Sequence, residues 1–196
     1  GKDKVYDAIY NIYKIFKQQK IEEILASAMR AMKGEGELKD ISKALLLFQE
    51  ACSARSADGC FRSADIYSDT DSKFYDKPMA SLNYDKACHI DNPYSCYLLA
   101  LKYATGSGVR RSSIKAAEFY EKACTKNHAA ACRSLALMIM KGEGLAQDKA
   151  KAAIILTRSC NLGDPDSCNF LGRMYEKGNG VEKDNQKSTY YYSKAK

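Results

Sequence analysis

The sequence has no tryptophan, three prolines and two histidines among its 196 residues. No stretch stays apolar over the ~18 residues that a transmembrane helix needs, so the sequence predicts no membrane span. Few prolines and fourteen tyrosines fit a helical protein better than a β-sandwich. The net charge of +7 is spread along the chain, and no dense basic stripe is interleaved with stacking aromatics. Nucleic acid is therefore not an expected partner.

The sequence also lacks the usual signatures of metal and cofactor sites. There is no Cys-x-x-Cys pair, and His89 and His128 lie in different segments, so a zinc site is not expected. The Gly-x-Gly strings follow helical segments instead of strands, so they do not fit a dinucleotide-binding loop. We expect no metal and no cofactor.

What the sequence does contain is an internal repeat of 36 residues, marked by its cysteines. They come in pairs spaced by 8, and equivalent cysteines recur every 36 residues, at Cys52, Cys60, Cys88, Cys96, Cys124, Cys132, Cys160 and Cys168. A period of 20 to 50 residues is typical of solenoids and arrays.

Other residue types also recur every 36 residues. We call each set of positions that are 36 residues apart a column, and these columns predict two helices per unit. A Gly-x-Gly turn (Gly142 and Gly144 in one unit) ends one helix, and an Asp or Ser column such as Asp148 caps the next. Thr70 and Ser72 replace the glycines in the second unit, which leaves the shape of that turn open. Small-residue columns let helices approach closely. The fold class predicted is all-α, an α/α superhelical solenoid, with helices near 6–18, 21–33, 41–54, 57–69, 77–90, 93–105, 113–126, 129–141, 149–162, 165–177 and 185–196.

We predict a single solenoid over 1–196. Its units are about 1–36, 37–72, 73–108, 109–144 and 145–180, with a trailing helix at 181–196. The first unit carries Phe16 and Ile24 in the two cysteine columns, which suits a terminal unit without a cross-link. We expect a monomer.

Within each unit, a spacing of 8 puts one cysteine at the end of a helix and the next at the start of its successor. The pairs Cys52–Cys60, Cys88–Cys96, Cys124–Cys132 and Cys160–Cys168 are favoured. Pairing of Cys60 with Cys88 stays open, because spacing alone does not fix connectivity. Disulfides at regular positions favour an oxidising compartment, secreted or periplasmic, with the mitochondrial intermembrane space a weaker alternative. We take the chain as a mature or recombinant fragment from which any signal peptide is absent.

The run from Gly163 to Asp184, GDPDSCNFLGRMYEKGNGVEKD, resembles the Sel-like repeat (SLR), a relative of the tetratricopeptide repeat. With paired cysteines in a 36-residue unit, the sequence is similar to the Helicobacter cysteine-rich protein family. The resemblance implies a secreted, disulfide-linked solenoid of tetratricopeptide-like helix hairpins that acts as an interaction scaffold. It also implies penicillin binding or weak β-lactamase activity, and action on host cells.

One string in the sequence fits the β-lactamase alternative. It is the Ser-x-x-Lys motif Ser112-Ser113-Ile114-Lys115. Ser112 occupies the capping column that is Asp in the other units, so we interpret it as a helix cap and Lys115 as a solvated lysine. No catalytic residue is assigned.

The binding alternative rests on positions at which the residue type differs from one repeat unit to the next. On the helices that begin at the second cysteine, three variable columns are four residues apart and share one face. In a tetratricopeptide-like solenoid this face lines the concave surface. It predicts a site for a protein, a peptide, a cell-wall (peptidoglycan) fragment or a host protein, formed by Phe61, Asp65, Tyr97, Leu101, Arg133, Leu137, Lys141, Asn169, Arg173 and Lys177. A solvated face is the alternative interpretation.

Overall fold

A computed structural model describes residues 2–36 and 38–196. The described residues form ten helices and no strand. The helices are α1 (Lys2–Lys33), α2 (Ile41–Ser53), α3 (Ala57–Ser68), α4 (Lys77–Ile90), α5 (Pro93–Thr105), α6 (Ser113–Thr125), α7 (Ala129–Lys141), α8 (Lys149–Asn161), α9 (Pro165–Lys177) and α10 (Asn185–Lys194). The all-α prediction is confirmed.

The chain divides into two compact structural units, each of which spans more than one 36-residue repeat. The first unit is residues 1–92 with α1 to α4, and the second unit is residues 93–196 with α5 to α10. In each unit, consecutive helices pack as antiparallel neighbours. The core of the first unit is built from alanines and large apolar residues, among them Ala28, Ala44 and Phe48. In the second unit, Leu135 and Leu156 are buried among similar residues.

Two kinds of corner connect the helices, and the first is the glycine turn. Gly142 ends α7 in the left-handed conformation, with φ 74°. Gly144, at φ 75°, lies so close to Ser113 that an added Cβ would be 2.5 Å from its backbone carbonyl. Six residues after the first glycine of the turn, an Asp or Ser oxygen accepts a hydrogen bond from the third residue of the next helix, as Asp148 does from the Lys151 N–H at 2.8 Å. The cap column is therefore used as predicted.

The second kind of corner joins the helices that carry the cysteine pairs. A residue with positive φ ends each connection, at Arg55, Asp91, Asn127 and Gly163. The next residue caps the following helix, as Ser56 and Asp164 do through side-chain oxygens that accept backbone N–H bonds. Within each unit the helices joined by such a corner come close three residues after the cap position, where the residue is small and buried: Gly59, Ala131 or Ser167.

Disulfides close the corners. Cys52–Cys60, Cys124–Cys132 and Cys160–Cys168 are bonded, which confirms the favoured pairing and excludes the Cys60–Cys88 alternative. Cys88 and Cys96 are disulfide-bonded too, and no described cysteine is free. Each bridge closes a loop of about nine residues, which constrains the unfolded chain and adds roughly 2–3 kcal/mol of stability.

The predicted break between helices 6–18 and 21–33 is wrong, because α1 runs without interruption from Lys2 to Lys33. The corner features are missing at this point. Gln19 and Lys20 occupy the positive-φ and cap columns, and the lysine has no oxygen that could cap a helix. Glu23 stands in the column of Gly59, where an added Cβ would be 2.7 Å from the Ala51 Cβ, so a glutamate cannot fit the close helix contact.

Candidate functional site

The predicted binding face divides between the two units, and in the first unit it consists of Phe61 and Asp65 on α3. Phe61 is half-buried against the Cys52–Cys60 bridge, with its ring 6.1 Å from that of Tyr84. The Tyr84 hydroxyl donates a hydrogen bond to the Asp65 carboxylate at 2.8 Å. Partial loss of solvent raises the pKa of Asp65, and the bond from Tyr84 and the charge of Arg62 oppose that rise. Its negative charge is therefore held in place and aimed at α4.

In the second unit the face follows α5, α7 and α9. At its α5 end, three rings stack: the Tyr97 ring lies 4.6 Å from that of His128, and the Tyr94 ring 5.8 Å from His128, both within 25° of parallel. Tyr120 packs beneath, 5.9 Å from Tyr97. Tyr94 keeps 47% of its surface exposed. The stack thus presents an aromatic surface to solvent.

His128 also caps α7, since its Nδ1 accepts a hydrogen bond from the Ala131 N–H at 3.2 Å. Burial among aromatic rings lowers the pKa of His128. The acceptor role requires a neutral ring with the proton on Nε2. Burial raises the pKa of Tyr120 to about 12, so both groups are neutral at pH 7.

Beyond the stack, Arg133 on α7 bridges to α9. Its guanidinium donates to the Asp164 carboxylate at 2.9 Å and also pairs with Asp166. Arg133 is 24% exposed and Asp164 only 11%. Asp164 at the same time caps α9. The protein's own carboxylates thus occupy Arg133, and we do not count it as a free cation on the face.

The far end of the face, at the last turns of α7 and α9, is polar and cationic. Lys141, Arg173 and Lys177 are exposed, and Leu137 and Asn169 between them are half-buried. The Arg173 guanidinium lies 4.8 Å from the centre of the Phe170 ring. Basic residues at helix ends also interact favourably with the helix dipole, so the lysines have a local structural role as well.

The structure places eight of the predicted residues on the alternate helices α5, α7 and α9 of the second unit: Tyr97, Leu101, Arg133, Leu137, Lys141, Asn169, Arg173 and Lys177. Sequence reasoning missed Tyr94, His128 and the two aspartates that hold Arg133. A signal for Tyr94 was present: it lies three residues before Tyr97, so both fall on one side of α5. The contacts of the His128 ring with Tyr94 and Tyr97 depend on the tertiary structure.

The Ser-x-x-Lys string has the geometry of a helix start. The Ser112 hydroxyl accepts a hydrogen bond from the Lys115 N–H at 3.3 Å and caps α6. The Lys115 ammonium lies 5.1 Å from the centre of the Tyr103 ring. These residues, with Arg110 and Arg111, line a surface cavity of about 590 Å³. The serine is committed to its backbone partner, which supports the interpretation as a cap.

The described residues contain neither a metal-binding cluster nor a helix able to span a membrane. In those residues no group of three or more His, Cys, Asp or Glu side chains could hold a metal ion. None of the described helices combines the length and the apolar character that crossing a bilayer requires.

These features define a disulfide-bonded helical-repeat scaffold of the SLR type. The Sel1 repeat model matches residues 25–56, 93–128, 129–164 and 165–196, more than half of the chain. The chain belongs to the Sel1 repeat family.

Solved structures agree with this assignment. A Sel1 repeat protein from Oxalobacter formigenes superposes with a TM-score of 0.76 at 23% identity, over 89% of this chain and 71% of that one. The protective antigen c5321 of uropathogenic Escherichia coli has a TM-score of 0.69 at 23% identity, over 91% of this chain and 46% of that one. Helicobacter pylori cysteine rich protein B has a TM-score of 0.54 at 28% identity, over 68% of this chain and 96% of that one. No curated protein matches significantly.

Proposed function

We propose that the chain is an extracytoplasmic scaffold that binds a protein or peptide partner on the face of α5, α7 and α9. The observation that carries the proposal is the chemical gradient along this face. It passes from the partly exposed Tyr94–Tyr97–His128 stack to the exposed cations Arg173 and Lys177. Aromatic and Arg side chains are enriched at protein interfaces.

The gradient suits an extended partner segment with an aromatic or apolar residue at one end and acidic residues at the other. The apolar residue would pack on Tyr94 and Leu101, and the carboxylates would meet Arg173 and Lys177. Because only one end of the face is cationic, charge complementarity sets the direction in which such a segment lies.

The disulfides support the extracytoplasmic location, because structural disulfides persist in oxidising compartments. Rapid thiol alkylation of the protein in cell fractions would test this. We expect no modified cysteine in secreted or periplasmic material, and eight labelled thiols would contradict the location.

Binding is tested with the oxidised protein as bait in a crosslinking pull-down from envelope and host-cell extracts. Recovered partners are then measured against the charge-reversal pair Arg173→Glu with Lys177→Glu. We expect this variant to weaken capture at least about tenfold, the equivalent of 1.4 kcal/mol. The matched control is Lys149→Glu with Lys151→Glu, which makes the same charge change at exposed sites on α8. Equal capture by both variants would contradict the proposed face.

β-Lactam hydrolysis is the alternative implied by the resemblance to the cysteine-rich family. It is tested by turnover of a chromogenic cephalosporin. The capping role of Ser112 leads us to expect no turnover that Ser112→Ala abolishes. Turnover lost in that variant and kept in Ser113→Ala would favour the enzyme.

A further inference from the structure

The first half of α1 carries a wide apolar face that the described chain leaves uncovered. Every residue from 4 to 20 is exposed. The large apolar residues, between 54% and 73% exposed, are Val5, Tyr6, Ile9, Tyr10, Ile12, Tyr13, Ile15 and Phe16. The largest apolar patch of a typical monomer is roughly 300–600 Å² and is often functional.

These residues stand in core columns of the repeat. Ile9, Ile12 and Phe16 lie 36 residues before Leu45, Phe48 and Cys52, all of which are buried in α2. In α2 those positions pack against both neighbouring helices. The first half of α1 has the same apolar pattern, but no helix folds over it, because α1 continues straight through the position of the missing corner.

The exposed apolar area approaches what each chain buries in a stable pair. At about 200 Å² for a fully exposed aromatic side chain, Tyr6, Tyr10, Tyr13 and Phe16 alone expose roughly 500 Å². The four aliphatic residues add to this, towards the roughly 800 Å² that each partner buries in a standard interface.

The spacing of the apolar residues favours another helix of the same kind. Val5, Ile9, Ile12 and Phe16 follow one another by 4, 3 and 4 residues, which is the a/d spacing of a helix–helix seam. The next two seam positions are Gln19 and Glu23, so the seam ends where α1 enters the folded unit. An antiparallel pair of α1 segments would place Val5 near Phe16, and Ile9 near Ile12, of the second copy.

A concave surface beside the seam offers further room. Tyr13, Phe16 and Ile24 on α1, together with Glu50 and Ala54 at the end of α2, line a largely apolar cavity of about 390 Å³. An aromatic residue from the first turns of a second α1 is of suitable size and chemistry for it. The same contact made twice, once by each copy, gives the closed symmetry of a dimer.

We propose that the first half of α1, residues 4–18, is a self-association surface through which two copies of this chain pair by antiparallel packing of α1. This proposal differs from the monomer expected from the sequence. The surface lies on a different unit from the binding face of α5, α7 and α9, and the inference does not depend on it.

The test is sedimentation velocity of the oxidised 196-residue protein between about 1 and 100 μM. We expect the mass to rise with concentration to twice the 21.8 kDa of one chain. Ile9→Glu with Ile12→Glu should weaken pairing at least about 100-fold, since buried unpaired charges disrupt a seam. The matched control, Leu46→Glu with Ile154→Glu, adds the same charges at residues that are 68% and 72% exposed and should pair normally.

A second variant changes the cause of the exposure and leaves the apolar residues in place. Gln19→Gly with Lys20→Ser and Glu23→Ala restores the corner pattern. We expect α1 to break there and cover its own face, giving a monomer with faster hydrogen exchange at residues 18–21. A monomeric native protein at 100 μM would overturn the proposal. So would pairing that survives both α1 variants, or a monomer that binds anionic phosphatidylglycerol vesicles through residues 4–18.

Discussion

The first half of α1 and helix α2 share a column pattern and have opposite surroundings. Phe48 is fully buried in α2, and Ile12, 36 residues earlier, is 54% exposed. The apolar pattern is therefore not what creates a hairpin in this repeat. The corner creates it, through a positive-φ residue, a capping oxygen and a small residue at the point of contact. Where Gln19, Lys20 and Glu23 replace them, the same pattern yields a straight helix.

The largest expected effect comes from truncating the same column in both regions. Phe48→Ala should destabilise the protein by about 3–5 kcal/mol, because it leaves a cavity in a fully packed core. Ile12→Ala should change the free energy of unfolding by less than about 0.5 kcal/mol, since the side chain is exposed in the monomer. Urea unfolding at micromolar concentration measures both. An equal loss in the two variants would mean that residues 4–18 pack within their own unit.

Removing the bridge between α2 and α3 should have the next largest effect. Cys52→Ser with Cys60→Ser releases a loop of about nine residues and should cost roughly 2–3 kcal/mol. The pair Phe16→Ser with Ile24→Ser, in the same columns of α1, removes no bridge. It should cost less, because Phe16 is exposed and Ile24 is only half-buried. Equilibrium unfolding of both double variants under oxidising conditions measures the two losses of stability.

A smaller difference is expected at the caps. Ser56→Ala should cost about 1 kcal/mol, because the Gly59 N–H loses its side-chain partner. Lys20→Ala, in the same column, should be neutral within about 0.5 kcal/mol, since residue 20 lies inside a continuous helix and caps nothing. A stability loss in Lys20→Ala equal to that in Ser56→Ala would place a helix start at residue 21.

The smallest effect concerns the cap of α7, where a histidine replaces the Ser or Asp of other corners. The pKa of His128 is lowered in the folded protein, so the unfolded chain binds the proton more readily. The stability linked to His128 is complete above its ordinary pKa of about 6.5 and is lost as the pH falls through its folded pKa. His128→Asn keeps a capping oxygen and should remove this part of the pH dependence. Parallel profiles for the two proteins between pH 4 and 7 would contradict this assignment.

For the candidate site, the sequence predicted which helices carry the variable face but not what its residues touch. Arg133 varies between units, as binding residues do, but two aspartates on α9 neutralise it. His128 stands 36 residues before Asp164 and 72 after Ser56, both of which cap helices, so its capping role is consistent with its place in the repeat. Its stacking with Tyr94 and Tyr97 depends on helix packing, which brings together residues more than 30 positions apart.

The sequence by itself determined the repeat, the helix pairs from α2 onwards, the caps that follow the glycine turns and the favoured disulfide pairing. Local chemistry dictates these features: a 36-residue period, a capping oxygen at a fixed offset, and cysteines eight apart across a tight corner. Only the tertiary structure decided that α1 runs straight and that its apolar face stays uncovered. A helix continues or turns according to the contact that the turn would create. A turn before residue 23 would bring a second helix close to the Glu23 side chain. The residue type alone does not reveal how close that helix would come.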